Sequence, residues 1–202
     1  MRREKEQSAH CLTSHCLTGN KNIALIGFMA VGKSVVGQRL ARRLKRPFVD
    51  LDRAIETKEG MKVAEIFARR GEAYFRRVER ETAQEILGRD RQVIAAGGGA
   101  VVDEENLSLF KQRSLLICLT APPEILLRRV GRRNERPLLE GKDKKKRIEE
   151  LLKQREKSYA QAHVSIDTSS LSVDEVVEKI IKAIHRLTAP SPVPSPSGRG
   201  RG

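Results

Sequence analysis

The sequence predicts an α/β fold: a doubly wound parallel sheet with helices on both faces, three layers in all. Three observations carry that prediction. β-rich runs alternate with helical patterns along the chain, the order that builds crossover units. The runs are apolar on consecutive residues, which suits strands buried on both faces. Aromatic residues make up only 3% of the chain, which argues against an all-β sandwich or barrel, where strands favour them.

Each element has its own warrant. Strands are expected at 22–26, 47–51, 92–96, 114–119 and 164–167, and a helix at 33–44. A further helix opens at Gly71, with Phe75, Val78, Thr82 and Ile86 as its core-facing edge. The last helix is the clearest: Val173, Val176, Val177, Ile180, Ile181, Ile184 and Leu187 form one stripe. Ser172 and Glu175 stand where a capping box would start it. A chain of 202 residues can bury one sizeable core without disulfides or a structural metal.

The two ends read differently. Residues 1–20 carry a short duplication, His10-Cys11-Leu12-Thr13 and His15-Cys16-Leu17-Thr18, with no helical or strand period. Its spacing matches no familiar zinc knuckle, and a disordered extension is expected there. Residues 189–202 are built of Ala, Pro, Ser, Val, Gly and Arg and read as a disordered tail. The folded body is therefore expected at 21–188.

The net charge is +14, most of it in the body, which favours anionic partners. Phosphorylated small molecules, nucleic acid and membrane surfaces all qualify. The longest nearly apolar run, 93–102, contains three glycines and is too short to cross a bilayer. No apolar stretch follows Arg2-Arg3, so no secretory signal is read, and no membrane partner is expected. Three cysteines leave one unpaired, pointing to a reducing compartment and a cytoplasmic place. A Gly-Arg-Gly-Arg-Gly end invites RNA, but no aromatic residues interleave the basic ones. No nucleic-acid partner is expected. Cys118, in an apolar strand, reads as core, His163 as structural or exposed, and Tyr159 as packing.

The strongest local signal is Gly27-Phe28-Met29-Ala30-Val31-Gly32-Lys33-Ser34, a phosphate-binding loop placed between a strand and a helix. Its glycines let backbone amides wrap a phosphate, and the following helix adds its positive end. Lys33 can reach the β- and γ-phosphates, and the Ser34 hydroxyl can ligate magnesium. Gly27, Ala30, Val31, Gly32, Lys33, Ser34 and Val35 are the expected contacts to a nucleoside triphosphate.

Three further motifs bear on the acceptor. Asp50-Leu51-Asp52 closes the second strand, where side-chain alternation would put both carboxylates on one face. One could hold magnesium through water while the other faces the acceptor. Arg76 and Glu79, at i and i+3, can meet on one helix edge, with Arg77 a solvated neighbour. Gly97-Gly98-Gly99 removes side-chain bulk at a strand end, admitting either a ligand or merely a flexible turn.

These motifs in this order, with a later Arg136-Pro137-Leu138-Leu139, resemble the shikimate kinase family over about residues 21–187. The resemblance implies a P-loop, nucleoside-monophosphate-kinase-like fold, its five parallel strands ordered 2-3-1-4-5. The implied reaction is ATP-dependent phosphorylation of the 3-hydroxyl of shikimate to shikimate 3-phosphate, in aromatic amino-acid (chorismate) biosynthesis. Residue by residue, Asp52 matches the acid on shikimate's hydroxyls, and Asp50, with Ser34, the magnesium site. Arg76 and Arg155 match the carboxylate-binding arginines, and Gly97, Gly98 and Gly99 the backbone wall of the substrate ring. Arg136 matches a lid arginine at the transferring phosphates. Arg129 corresponds to the residue on adenine, with Arg128 as its neighbour in register.

Lys33, Asp52 and Arg136 are thus the expected catalytic groups, with Asp52 open to either a base or a positioning role. The substrate-binding segment would span about 52–88 and the lid about 131–147. One magnesium per subunit, ATP as co-substrate and a monomer are also implied. ATP and shikimate are both anions, so several cations are needed to offset their repulsion as water leaves the site. Three alternatives stand beside this reading: another small-metabolite kinase such as a gluconate kinase, a nucleic-acid-binding ATPase, and a catalytically silent relative that only binds nucleotide, against which every motif residue expected for turnover is present.

Overall fold

The computed structural model describes residues 21–130 and 143–188. The expected disordered ends at 1–20 and 189–202, and Arg136 with most of the expected lid, lie outside them.

Five parallel strands form one sheet: β1 (Asn22–Gly27), β2 (Phe48–Asp50), β3 (Val93–Ala95), β4 (Ser114–Thr120) and β5 (Val164–Asp167). Their order is β2-β3-β1-β4-β5, the order that the resemblance implied. Seven helices connect and cover them among the described residues: α1 (Lys33–Leu44), α2 (Leu51–Glu59), α3 (Val63–Leu87), α4 (Glu104–Arg113), α5 (Pro123–Val130), α6 (Lys144–Tyr159) and α7 (Val173–Thr188).

β1 lies at the centre because every one of its residues is buried. Alternate side chains serve opposite faces. Ile23 and Leu25 join a core with Val36 and Leu40 of α1 and Val176 and Ile180 of α7. Ala24 and Ile26 join a second core with Ile55 of α2, Phe75 of α3 and Phe110 of α4. Consecutive apolar residues in the sequence are thus explained by two cores, one on each side of the sheet. The capping box of α7 is present: the Glu175 N–H donates to Ser172 Oγ (3.3 Å) and the Ser172 N–H to Glu175 Oε2 (2.8 Å). Val173, at the head of the expected stripe, is exposed.

One local reading needs correction. β2 stops at Asp50, and Leu51 and Asp52 form the first turn of α2. The cause is helix capping: Asp50 Oδ1 accepts from the Arg53 N–H at 3.4 Å. Asp52 therefore takes its direction from a helix, not from strand alternation. Lys144 to Arg147, at the end of the segment expected as a lid, form the first turn of α6, which Asp143 caps through the Lys146 N–H at 3.0 Å.

The strands end unevenly. β3 stops at Ala95, opposite Leu25, while β1 runs on to Gly27 opposite Leu119 of β4. With β2 also only three residues long, a step is left at the carboxyl end of the sheet. No helix of the described residues is long and apolar enough to cross a membrane.

Candidate active site

The step is bordered on one side by the loop from β1 to α1. Gly27 must be glycine: its φ is +129°, and a Cβ there would stand 2.2 Å from the Leu119 carbonyl oxygen. Gly32, at φ 109°, starts α1 with no side-chain cap and no acidic residue in the first turn. The first amides of α1 and its positive end are thereby left for an anion. The Lys33 ammonium bends back over this loop, donating to the carbonyls of Gly27 (2.9 Å) and Phe28 (3.1 Å). Ser34 Oγ donates to Asp50 Oδ2 at 2.6 Å.

A cavity of about 270 Å³ opens here, lined by Lys33, Ser34, Asp50, Asp52 and Arg129 among others. Ala30, Gly32 and the exposed Val35 also border it. Arg129 is held in place by the Thr168 carbonyl (2.8 Å) and hydroxyl (3.0 Å), with a longer bond to the Val31 carbonyl. Arg128 is exposed and does not line the cavity. Of the two arginines, Arg129 is thus the one that borders the cavity.

On the other side stands the turn after β3. Its three glycines touch the expected acceptor residues one by one. A Cβ on Gly97 would lie 2.9 Å from Asp52 Oδ1 and 2.7 Å from Glu79 Oε1. One on Gly98 would lie 3.0 Å from Arg155 Nη1, and one on Gly99 2.7 Å from Arg76 Nη1. The absence of side chains is what lets these four groups converge. A second cavity, of about 370 Å³, contains Arg76, Glu79, Gly99 and Arg155.

Arg76 reaches this place because α3 breaks at Gly71, whose φ of 79° and ψ of 172° interrupt the helix. It is paired with Glu79 at 2.7 Å and Glu72 at 3.0 Å. Burial works against its charge, but the two carboxylates outweigh it and hold the guanidinium's pKa up. Burial pushes Glu79 above the usual carboxylate range, against the pull of Arg76. Arg155, almost fully buried, donates to the Gly98 carbonyl at 2.8 Å.

Asp52 thus belongs to both sides, lining the phosphate cavity and abutting Gly97. All the expected site residues within the described part of the chain gather around this step. Cys118 is buried beneath it in β4, its thiol pushed up to about 11 by burial, which makes it a core residue and no nucleophile. His163 is structural: its Nδ1 accepts from the Leu116 N–H at 3.0 Å. Two partners were not read as part of the site. Thr168, which carries Arg129, gave no signal in the sequence. Tyr159, read as packing, donates its hydroxyl to the Gly98 carbonyl at 2.7 Å; its place four residues after Arg155 was the available sign.

The shikimate kinase family model matches residues 29–185. The chain belongs to the shikimate kinase family. A shikimate kinase of Pelotomaculum thermopropionicum is 48% identical over 161 residues, covering 80% of this chain and 94% of that one. A solved structure of shikimate kinase from Acinetobacter baumannii in complex with shikimate superposes with a TM-score of 0.80 at 36% identity. It covers 82% of this chain and 93% of that one. A gluconokinase from Sinorhizobium meliloti, at 16% identity and a TM-score of 0.56, covering 83% of this chain and 93% of its own, shares the fold alone. The shikimate kinase reading therefore stands over the gluconate kinase one.

Proposed function

We propose that the chain transfers the γ-phosphoryl group of ATP to the 3-hydroxyl of shikimate, giving ADP and shikimate 3-phosphate, with the residues gathered at the step. One observation carries the assignment of the site. The glycine turn lies against Asp52, Arg76 and Arg155, while Asp52 also lines the cavity of Lys33 and Ser34. An acid and two guanidiniums therefore face a small carboxylated polyol from the same wall that adjoins the phosphate loop.

The roles follow from charge and reach. The amides of the loop and of the α1 N-terminus hold the β-phosphate, and Lys33 swings from the Gly27 and Phe28 carbonyls to the β- and γ-oxygens. Arg76 and Arg155 fork onto the shikimate carboxylate. Asp52 orients the attacking hydroxyl and is placed to accept its proton. Arg129 lies beside the nucleotide, and Arg136 is assigned to the migrating group. Phosphoryl transfer asks mainly for positioning and charge stabilisation, which is what these side chains provide.

Ser34 and Asp50 suit magnesium. A hydroxyl and a carboxylate oxygen 2.6 Å apart are hard donors, and magnesium takes few protein ligands when phosphate and water supply the rest. When bound there, the ion would neutralise charge on the β- and γ-phosphates. The reading carries one ion per subunit, a monomer and a cytoplasmic place.

The test is magnesium-dependent ADP release from ATP with shikimate, gluconate or a nucleoside monophosphate as acceptor. Release with shikimate alone is expected. Turnover on gluconate or a nucleotide, with none on shikimate, would reject the assignment. Hydrolysis stimulated by nucleic acid and weakened by salt would favour the ATPase reading instead.

A further inference from the structure

Tyr159 puts a hydroxyl where the core asks only for a ring. It is 8% exposed and packs in the cluster of Phe75, Leu116 and Cys118. A phenylalanine would fill that space, and burying a hydroxyl costs stability unless it finds a partner. The partner is the Gly98 carbonyl, 2.7 Å away, in the middle of the glycine turn. Arg155 Nη1 donates to the same oxygen at 2.8 Å. A carbonyl has two lone pairs, and both are used.

The rest of the turn is bonded in the same sense. The Gly97 carbonyl accepts from the Ala100 N–H (3.2 Å) and the Gly99 carbonyl from the Val102 N–H (3.0 Å). All three glycine carbonyls are thus engaged by the protein. In a trans peptide the C=O of one residue and the N–H of the next point to opposite sides, and no cis peptide occurs among the described residues. Fixing the Gly98 carbonyl therefore also fixes the Gly99 N–H, in a residue that lines the acceptor cavity.

We infer that Tyr159 is a positioning residue for shikimate: its hydroxyl, with Arg155, locks the Gly98–Gly99 peptide so that the Gly99 N–H faces the bound substrate. This rests on the function proposed above. Burial pushes the phenol up to about 12, so the donor stays protonated across the working range of pH. The bond spans the fold, joining the last turn of α6 to the turn after β3, and glycine has little stiffness of its own to replace it.

The experiment compares steady-state kinetics of the full chain and Tyr159→Phe. Loss of one neutral hydrogen bond should raise KM for shikimate about five-fold, with kcat within about two-fold and KM for ATP unchanged. An unchanged shikimate KM overturns the inference. So does a matching loss in kcat and in both KM values, which would mark a merely structural residue. Should the variant fail to fold, amide NMR of the parent decides: shikimate without ATP should move the Gly99 proton downfield, and a proton that stays put overturns the proposal. A parent that turns over no shikimate takes the functional reading down as well, whereas normal turnover with an indifferent Tyr159→Phe removes this inference alone.

Discussion

Glu79 stands one helical turn from Arg76, with Oε2 2.7 Å from Nη1 and only 2% of its side chain exposed. An acid is thus buried behind one of the two guanidiniums assigned to the substrate carboxylate. Its burial raises its pKa, so the folded chain takes up this proton more readily than the unfolded one. The associated stability is fully present below the ordinary carboxylate value and is lost as pH rises through the folded one. Glu79→Gln cannot titrate. The stability of the parent minus that of the variant, from urea unfolding, should fall as pH rises from about 4 and then level off. A difference that is flat or rises would contradict the direction assigned to Glu79.

Asp50 and Ser34 should govern the metal. Asp50→Asn keeps an oxygen at the N-cap of α2 and so spares the fold, but removes the charge beside the hydroxyl. The magnesium concentration giving half-maximal turnover is expected to rise about ten-fold, in keeping with the loss of a charge-assisted contact. A magnesium titration of parent and variant with the same half-point would move the ion elsewhere.

Two glycines should fail in different ways. Gly27→Ala sets a Cβ 2.2 Å from a backbone oxygen at positive φ, where nothing nearby can yield. It should destabilise the chain by about 2 kcal/mol or more. Gly99→Ala meets only the end of the Arg76 side chain, which can turn aside. Its melting temperature should stay near that of the parent while shikimate affinity falls. Calorimetry with and without shikimate separates the two.

Arg76 and Arg136 should likewise part company in kinetics. Arg76→Ala is expected to weaken shikimate binding, read as Kd by titration, because its guanidinium faces the acceptor cavity. Arg136→Ala should lower kcat far more than it weakens shikimate binding. Equal losses in both quantities for Arg136→Ala would contradict its assigned role.

Much of this was legible in the sequence because the signals are local. Two-sided burial shows as consecutive apolar residues, so all five strands were visible, and Ser172 with Glu175 announced α7. The phosphate loop, Asp50 with Asp52, Arg76 and the three glycines are each a short motif. Strand order is different: no local pattern orders β2 and β3 beside β1, and it came only through the family resemblance. Leu51 reads as a strand end because an apolar residue between two acids looks like alternation, although Asp50 three residues before Arg53 is equally a helix cap. Tyr159 and Thr168 were passed over because their bonds, to Gly98 and Arg129, join residues 61 and 39 positions apart. Such pairs become neighbours only after the sheet has formed.

The uneven strand ends also divide labour. The loop proposed for the nucleotide grows from the long central β1, anchored between β3 and β4, whereas the wall proposed for the acceptor follows the short β2 and β3 and leans on α2, α3 and α6. Rewriting the wall therefore leaves the phosphate cup standing. A scaffold with that partition can change the alcohol it phosphorylates while keeping its energy source.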